Sequence, residues 1–180
     1  MCDGYLSDLA EAVKRGVIPP RDDVRRFFGL PTIELITEID FSQALPEMIA
    51  AARNDRVDEN ITTENFPVVG NGVKRFRNKL FAFKSSVSPE DVITAMQKEN
   101  FKAADHVHGF AFSAKFPNIQ RQKKRLYACL GSFAMVHNHG VVVCFDGNEK
   151  IRGSRVACLL PLKGLWPAGW RFLGVQEISG

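Results

Sequence analysis

Four histidines fall in two close pairs, His106-Val107-His108 and His137-Asn138-His139. On a β-strand, His-x-His turns both imidazoles to one face and can ligate a metal. Two converging pairs would offer four nitrogens, so His106, His108, His137 and His139 form the candidate metal or catalytic set. The plainer reading places His106 and His108 at a helix start, where their rings diverge, and His137-Asn138-His139 in a hairpin turn. No Cys-x-x-Cys pair or other cofactor signature accompanies them, and no cofactor is expected.

A second constellation is basic. Arg121, Lys123, Lys124 and Arg125 lie in one short run, and Arg75, Arg77 and Lys79 alternate along an earlier segment beginning near Lys74. Phe76, Phe81, Phe83 and Tyr127 are interleaved with these cations, as a single-strand nucleic-acid binder needs for stacking. Against this, the phenylalanines read as core, which leaves Tyr127 as the aromatic expected to bring a polar tip to the surface. The string His137-Asn138-His139 also spells a nuclease motif. That motif requires metal ligands on a following helix, whereas Val141 to Phe145 reads as a strand.

Trp166 and Trp170 bracket Pro167-Ala168-Gly169 and form the candidate protein-binding edge. A tryptophan pair around a turn more often packs on a core. Ser132 follows Gly131 without a Gly-x-Ser-x-Gly elbow, so a serine nucleophile is not expected. Cys129, Cys144 and Cys158 sit among apolar, strand-like neighbours and read as small buried hydrophobes in a reducing compartment. Cys2 reads as an exposed thiol with nothing nearby to activate it.

The chain has 180 residues, 45% hydrophobic and 24% charged, which is the balance of a soluble globular protein. No apolar run approaches the about 20 residues that a membrane helix needs. The first residues lack the basic and apolar regions of a secretory signal, so a cytoplasmic location is expected. The net charge of +4 hides an asymmetry: residues 1–70 carry −6, residues 71–125 carry +8 and residues 126–180 carry +2. The acidic front and the basic middle either attract one another or present a basic face to an anionic partner.

The elements that must position these residues begin with a helical segment over 1–31, built on Leu6, Leu9, Ala10 and Val13 and then on 22–28. An α+β domain follows over 32–180, with a C-terminal sub-module from about 101. Ile33, Leu35, Thr37, Ile39 and Phe41 alternate as a half-buried strand. Ser42 is placed to cap a helix carrying Leu45, Met48, Ile49 and Ala52, and Ile61 and Phe66 anchor a loop. The strand over 73–84 changes its apolar face near Lys79-Leu80, which suggests a bulge or a crossing into another layer. Ser88-Pro89-Glu90-Asp91 opens a helix whose Val92, Ile93 and Met96 face the core. Asp105 can cap a further helix, residues 118–125 read as loop, and strands are expected at 126–130, 133–137, 141–145, 155–160 and 170–176. The fold class is α+β: a helical front segment, a mixed strand and helix middle, and a C-terminal antiparallel meander packed with a helix.

Several short motifs add a family resemblance. Ser88 to Val92, Ala103-Ala104-Asp105, Pro117 to Gln120, Cys129-Leu130-Gly131-Ser132 and Arg171 to Val175 stand in the order found in a widespread, functionally uncharacterised family of small bacterial proteins. The chain resembles that family over about residues 33–177, with Lys102-Ala103-Ala104-Asp105 replacing its Arg-Pro-Ala-Thr. The last third also resembles a reduced C-type-lectin-like module in its order of helix, meander and closing strand. Neither resemblance implies an activity. The residues therefore favour a non-enzymatic binding or accessory protein with a protein partner. A nucleic-acid module using the basic region is the first alternative, and a metal protein or enzyme using the histidines is the second.

Overall fold

The computed structural model describes residues 34–121, 126–148 and 154–178. The expected front helices over 1–31 and Cys2 lie outside the described residues, as do Lys123, Lys124 and Arg125. The chain divides after Glu34, and the unit Leu35–Gly180 holds every element described below.

Strand β1 (Leu35–Asp40) buries Thr37 and Ile39 as its alternation predicts. Helix α1 (Leu45–Ala52) buries Leu45, Met48 and Ala52. Its N-cap is Ala44 rather than Ser42, and the Glu47 carboxylate accepts the Ala44 N–H at 3.3 Å. Ser42 instead donates its backbone N–H and hydroxyl to Asp40 at 2.9 and 2.7 Å. A short β2 (Arg56–Val57) and the long β3 (Val73–Ala82) follow. Helix α2 (Pro89–Lys98) starts where its sequence says: Ser88 accepts the Asp91 N–H at 3.1 Å, with Pro89 in the first turn. Strand β4 (Lys102–Ala103) leads to α3 (His106–Lys115), capped by Asp105 as expected. Part of the expected loop after it is a helical turn, α4 (Pro117–Arg121). Strands β5 (Tyr127–Val136), β6 (His139–Asn148), β7 (Ser154–Pro161) and β8 (Arg171–Ile178) complete the series.

The eight strands form one mixed sheet in the order β1-β3-β8-β5-β6-β7-β2, with β4 paired to β8. β5, β6 and β7 are the antiparallel meander, while β8 runs parallel to β5 and antiparallel to β3. The sheet is apolar on both faces over much of its area. Phe76, Tyr127, Cys129, Val143, Phe145, Leu173 and Val175 face one cluster with α1 and α3. Phe81, Ala128, Leu130, Val142, Cys144 and Phe172 face a second with Val92 and Met96 of α2 and with Trp166. Each fully buried large side chain contributes about 1.5–3 kcal/mol relative to exposure.

This two-sided cover explains the change of face in β3. The register from Arg75 to Ala82 against β8 is continuous, so neither a bulge nor a crossing occurs. Phe76 and Asn78 are buried toward the first cluster, and Phe81 is buried under the second. The irregularity lies in β5 instead. There, the two strands expected at 126–130 and 133–137 are one strand with a wide bulge: Cys129 pairs with Val143 and Ala134 with Val141. Leu130, Gly131, Ser132 and Phe133 thus stand opposite Val142 alone.

Two polar knots tie the layers. Asn78 donates its amide to the carbonyls of Leu35 and Phe76 at 2.8 and 3.1 Å, fixing edge strand β1 to β3. Arg155, 3% exposed, donates to the Ser113 carbonyl and hydroxyl at 2.7 Å each, to Gln120 Oε1 at 3.2 Å and to the Ala52 carbonyl. One guanidinium on β7 therefore holds α1, α3 and α4 together.

Candidate functional site

The β5 bulge approaches the start of α3 closely. The Gly131 N–H donates to the Ala104 carbonyl at 2.7 Å, and a Cβ on Gly131 would overlap the Ala103 carbonyl and lie 2.8 Å from that of Ala104. Next to it, Ser132 Oγ accepts the His106 backbone N–H at 3.1 Å and lies 3.0 Å from His106 Nδ1. The His106 ring packs against Phe66 at 5.4 Å between centroids. Burial pushes the His106 pKa below its ordinary value, which keeps the ring neutral near pH 7.

On the other side of the same cap, Asp105 Oδ1 accepts the His108 backbone N–H at 3.0 Å and meets His108 Nδ1 at 2.6 Å. Burial acts to raise the Asp105 pKa, but the hydrogen bonds that His108 donates to it outweigh burial and hold the carboxyl below the ordinary value. An ionised carboxylate at Nδ1 selects the tautomer that carries its proton on that nitrogen and its lone pair on Nε2. His108 is 8% exposed, and its Nε2 is buried without a hydrogen-bond partner.

The His108 ring lines a cleft of about 500 Å³. Phe41, Val69, Phe76 and Val175 give it apolar lining, and Asn100 and Gln176 line it with amides. Phe76 meets the His108 ring edge-on at 4.5 Å, and Phe41 meets both rings at 6.2 Å. Phe41 also rests on Gly70, whose φ of +153° suits glycine and where a Cβ would overlap the Phe41 ring. Three charged side chains stand around the opening. Lys74 pairs with Glu177 at 3.2 Å, while the exposed Lys102 makes no ion pair among the described residues.

The two histidine pairs play separate roles. His106 and His108 are buried at the α3 start, whereas His137 and Asn138 form the β5–β6 turn with φ of 48° and 64°, and His137 and His139 are exposed. Among the described residues, no group of three or more His, Cys, Asp or Glu side chains is placed to hold a metal ion.

The basic stripe is partly neutralised. Lys79 pairs with Glu99 and lies 4.9 Å above the Phe81 ring, and Arg77 donates to Gln176 at 3.1 Å. Arg75 is exposed, and Arg121 closes α4. Most of the interleaved aromatics are inside: Phe76 and Phe81 are each 6% exposed, Phe83 is half-buried, and Tyr127, expected to show a polar tip, is 1% exposed with its hydroxyl inside. Trp166 is buried, stands edge-on to Trp170 at 4.8 Å and packs on Phe172, so the expected binding edge is largely core. Cys129 and Cys144 are fully buried and Cys158 partly so, all as free thiols. Burial raises all three thiol pKa values, that of Cys158 to about 11.

Sequence reading missed the residues that complete the cleft, Phe41, Lys102 and Asp105 as the partner of His108. The spacing Asp105-x-x-His108 at a capped helix start was the available signal, because it brings the cap carboxylate back onto the third residue. No known family model, curated protein or solved structure matches the chain. No described helix is long and apolar enough to cross a membrane.

Proposed function

We propose that this protein binds a small organic molecule in the cleft at the start of α3. One observation carries the reading: His108, oriented by Asp105 and with its buried Nε2 left without a partner, lines a cleft whose surface is part apolar and part polar. A buried polar atom without a partner costs about 1–3 kcal/mol, and a ligand donor would remove that cost. The volume and the few convergent polar groups are those of ligand pockets. Burial disfavours the thiolates of Cys129 and Cys144, so neither is offered as a nucleophile.

Amide chemical shifts recorded against a library of small metabolites test the reading. Perturbations clustered at Gly70, Ala103 and Gly131 are expected for at least one compound class. A library that leaves those amides unmoved overturns it.

Nucleic-acid binding is the second reading, favoured by the exposed Arg75 on the same strand face as Arg77 and Lys79. Phe76, Phe81 and Tyr127 are buried and offer no stacking face beside these cations, so any affinity should rest on phosphate contacts and collapse with added salt.

A further inference from the structure

The chemistry of the cleft narrows the ligand, an inference that rests on the small-molecule reading above. Three features set the requirements. The carboxylate of Asp105 accepts the Nδ1–H of His108, so Nε2 asks for a donor, an O–H or N–H, and not for another acceptor. Beside that nitrogen stand the rings of Phe41 and Phe76, with Val69, Val175 and Ala103 around them, which is a surface for a flat apolar body. At the opening Lys102 is a cation without a counter-charge among the described residues, and Lys74 stands near it with one partner, Glu177. A ligand that satisfies all three carries a donor at one end, an aromatic ring in the middle and an anionic group at the other end.

We infer that the cleft takes a hydroxylated aromatic acid, its hydroxyl donating to His108 Nε2, its ring against Phe41 and Phe76, and its carboxylate at Lys102. The buried nitrogen is reached by displacement of the Phe41 side chain, which is half-buried and lies on the glycine-only backbone of Gly70. The backbone of the site stays in place, because the Gly131–Ala104 hydrogen bond and the Asp105 cap hold it at the start of α3. A ligand of this kind would discriminate by its hydroxyl more than by its ring, since a site built around a hydrogen-bond partner rejects the analogue lacking it.

The test is calorimetric titration of the full chain with 4-hydroxybenzoate and with 4-methoxybenzoate, which keeps the shape and the carboxylate but lacks the donor. The hydroxyl compound should bind at least about tenfold tighter, in line with one completed hydrogen bond at a buried atom. Lys102→Ala, at an exposed position that the fold does not depend on, should weaken 4-hydroxybenzoate about fivefold or more by removing its counter-charge. His108→Phe should abolish the preference for the hydroxyl compound. Equal affinities for the two compounds, or an unchanged affinity in Lys102→Ala, overturn the ligand class, even if His108→Phe does not fold. If other library members still shift the amides of Ala103 and Gly131, the binding-site reading stands without it. If none does, the binding-site reading is itself wrong.

Discussion

A single oxygen of Asp105 serves both the backbone and the ring of His108, accepting the amide at 3.0 Å and meeting Nδ1 at 2.6 Å. The helix cap and the orientation of the imidazole are therefore the same interaction. Asp105→Ala should lose about 1–2 kcal/mol through the cap and release the ring as well. Asp105→Ser should restore most of the stability, because a hydroxyl can cap, without restoring the His108 contact. Urea denaturation of the three proteins, with the His108 ring resonances followed by NMR, separates the two effects. The Asp105 pKa is lower in the folded chain than in the unfolded one, so its contribution is present above the unfolded value, about 3.9. It should fade as pH falls through the folded value.

His106 titrates with the opposite consequence for its charge. Its folded pKa lies below the ordinary value because the ring is buried, so the unfolded chain takes up the proton first. Stability should be unaffected by this group well above about pH 6.5 and should decline as pH drops from there toward the lower folded value. Thermal midpoints across that range should fall less steeply in His106→Asn than in the parent chain. Parallel profiles would refute the assignment.

Gly131→Ala places a methyl group against two backbone carbonyls, those of Ala103 and Ala104, which cannot rotate away as a side chain would. The expected loss is about 1–3 kcal/mol, the range for overpacking at a closed site. It should come with shifted amides at Ala103 and Asp105. A neutral outcome in chemical denaturation would mean that the bulge yields.

Arg155→Met removes the donor that three elements share and leaves the carbonyls of Ala52 and Ser113 without it. A loss of roughly 3 kcal/mol is expected, since buried acceptors stripped of a charged donor retain their desolvation cost. Arg155→Lys should recover little of it, because one ammonium cannot span Ser113, Gln120 and Ala52. Urea unfolding of the two variants measures both losses.

Trp166 is 5% exposed, so Trp170→Phe, which leaves it as the remaining tryptophan, should give blue-shifted emission poorly quenched by acrylamide. Emission like that of free tryptophan would restore the exposed binding edge.

What could be read in advance was local. Ser88-Pro89 announces α2 because the cap, the fixed φ of proline and the acidic first turn all act within four residues. Thr37 and Ile39 announce a strand by period alone. The face change at Lys79-Leu80 was visible, but its cause was not, since the cover over Phe81 comes from α2 and from Trp166, far along the chain. Tyr127 looked amphipathic in isolation and is enclosed by Phe112 and Phe145 from other elements. The cleft was illegible for the same reason: Phe41, Phe76, Lys102 and His108 meet because β3 and β8 pair at a separation of about a hundred residues.

That pairing also constrains how the protein comes into being. β8, the last strand described, lies between β3 and β5 in the middle of the sheet. A nascent chain emerging at about 5–20 residues per second lacks the strand that lies between β3 and β5 until residues 171–178 have left the ribosome. Until then the edges of β3 and β5 stand open to strands of other chains. Closure of the sheet must therefore wait for β8, and a ribosome that stalls before Arg171 leaves those two edges for chaperones or proteases to deal with.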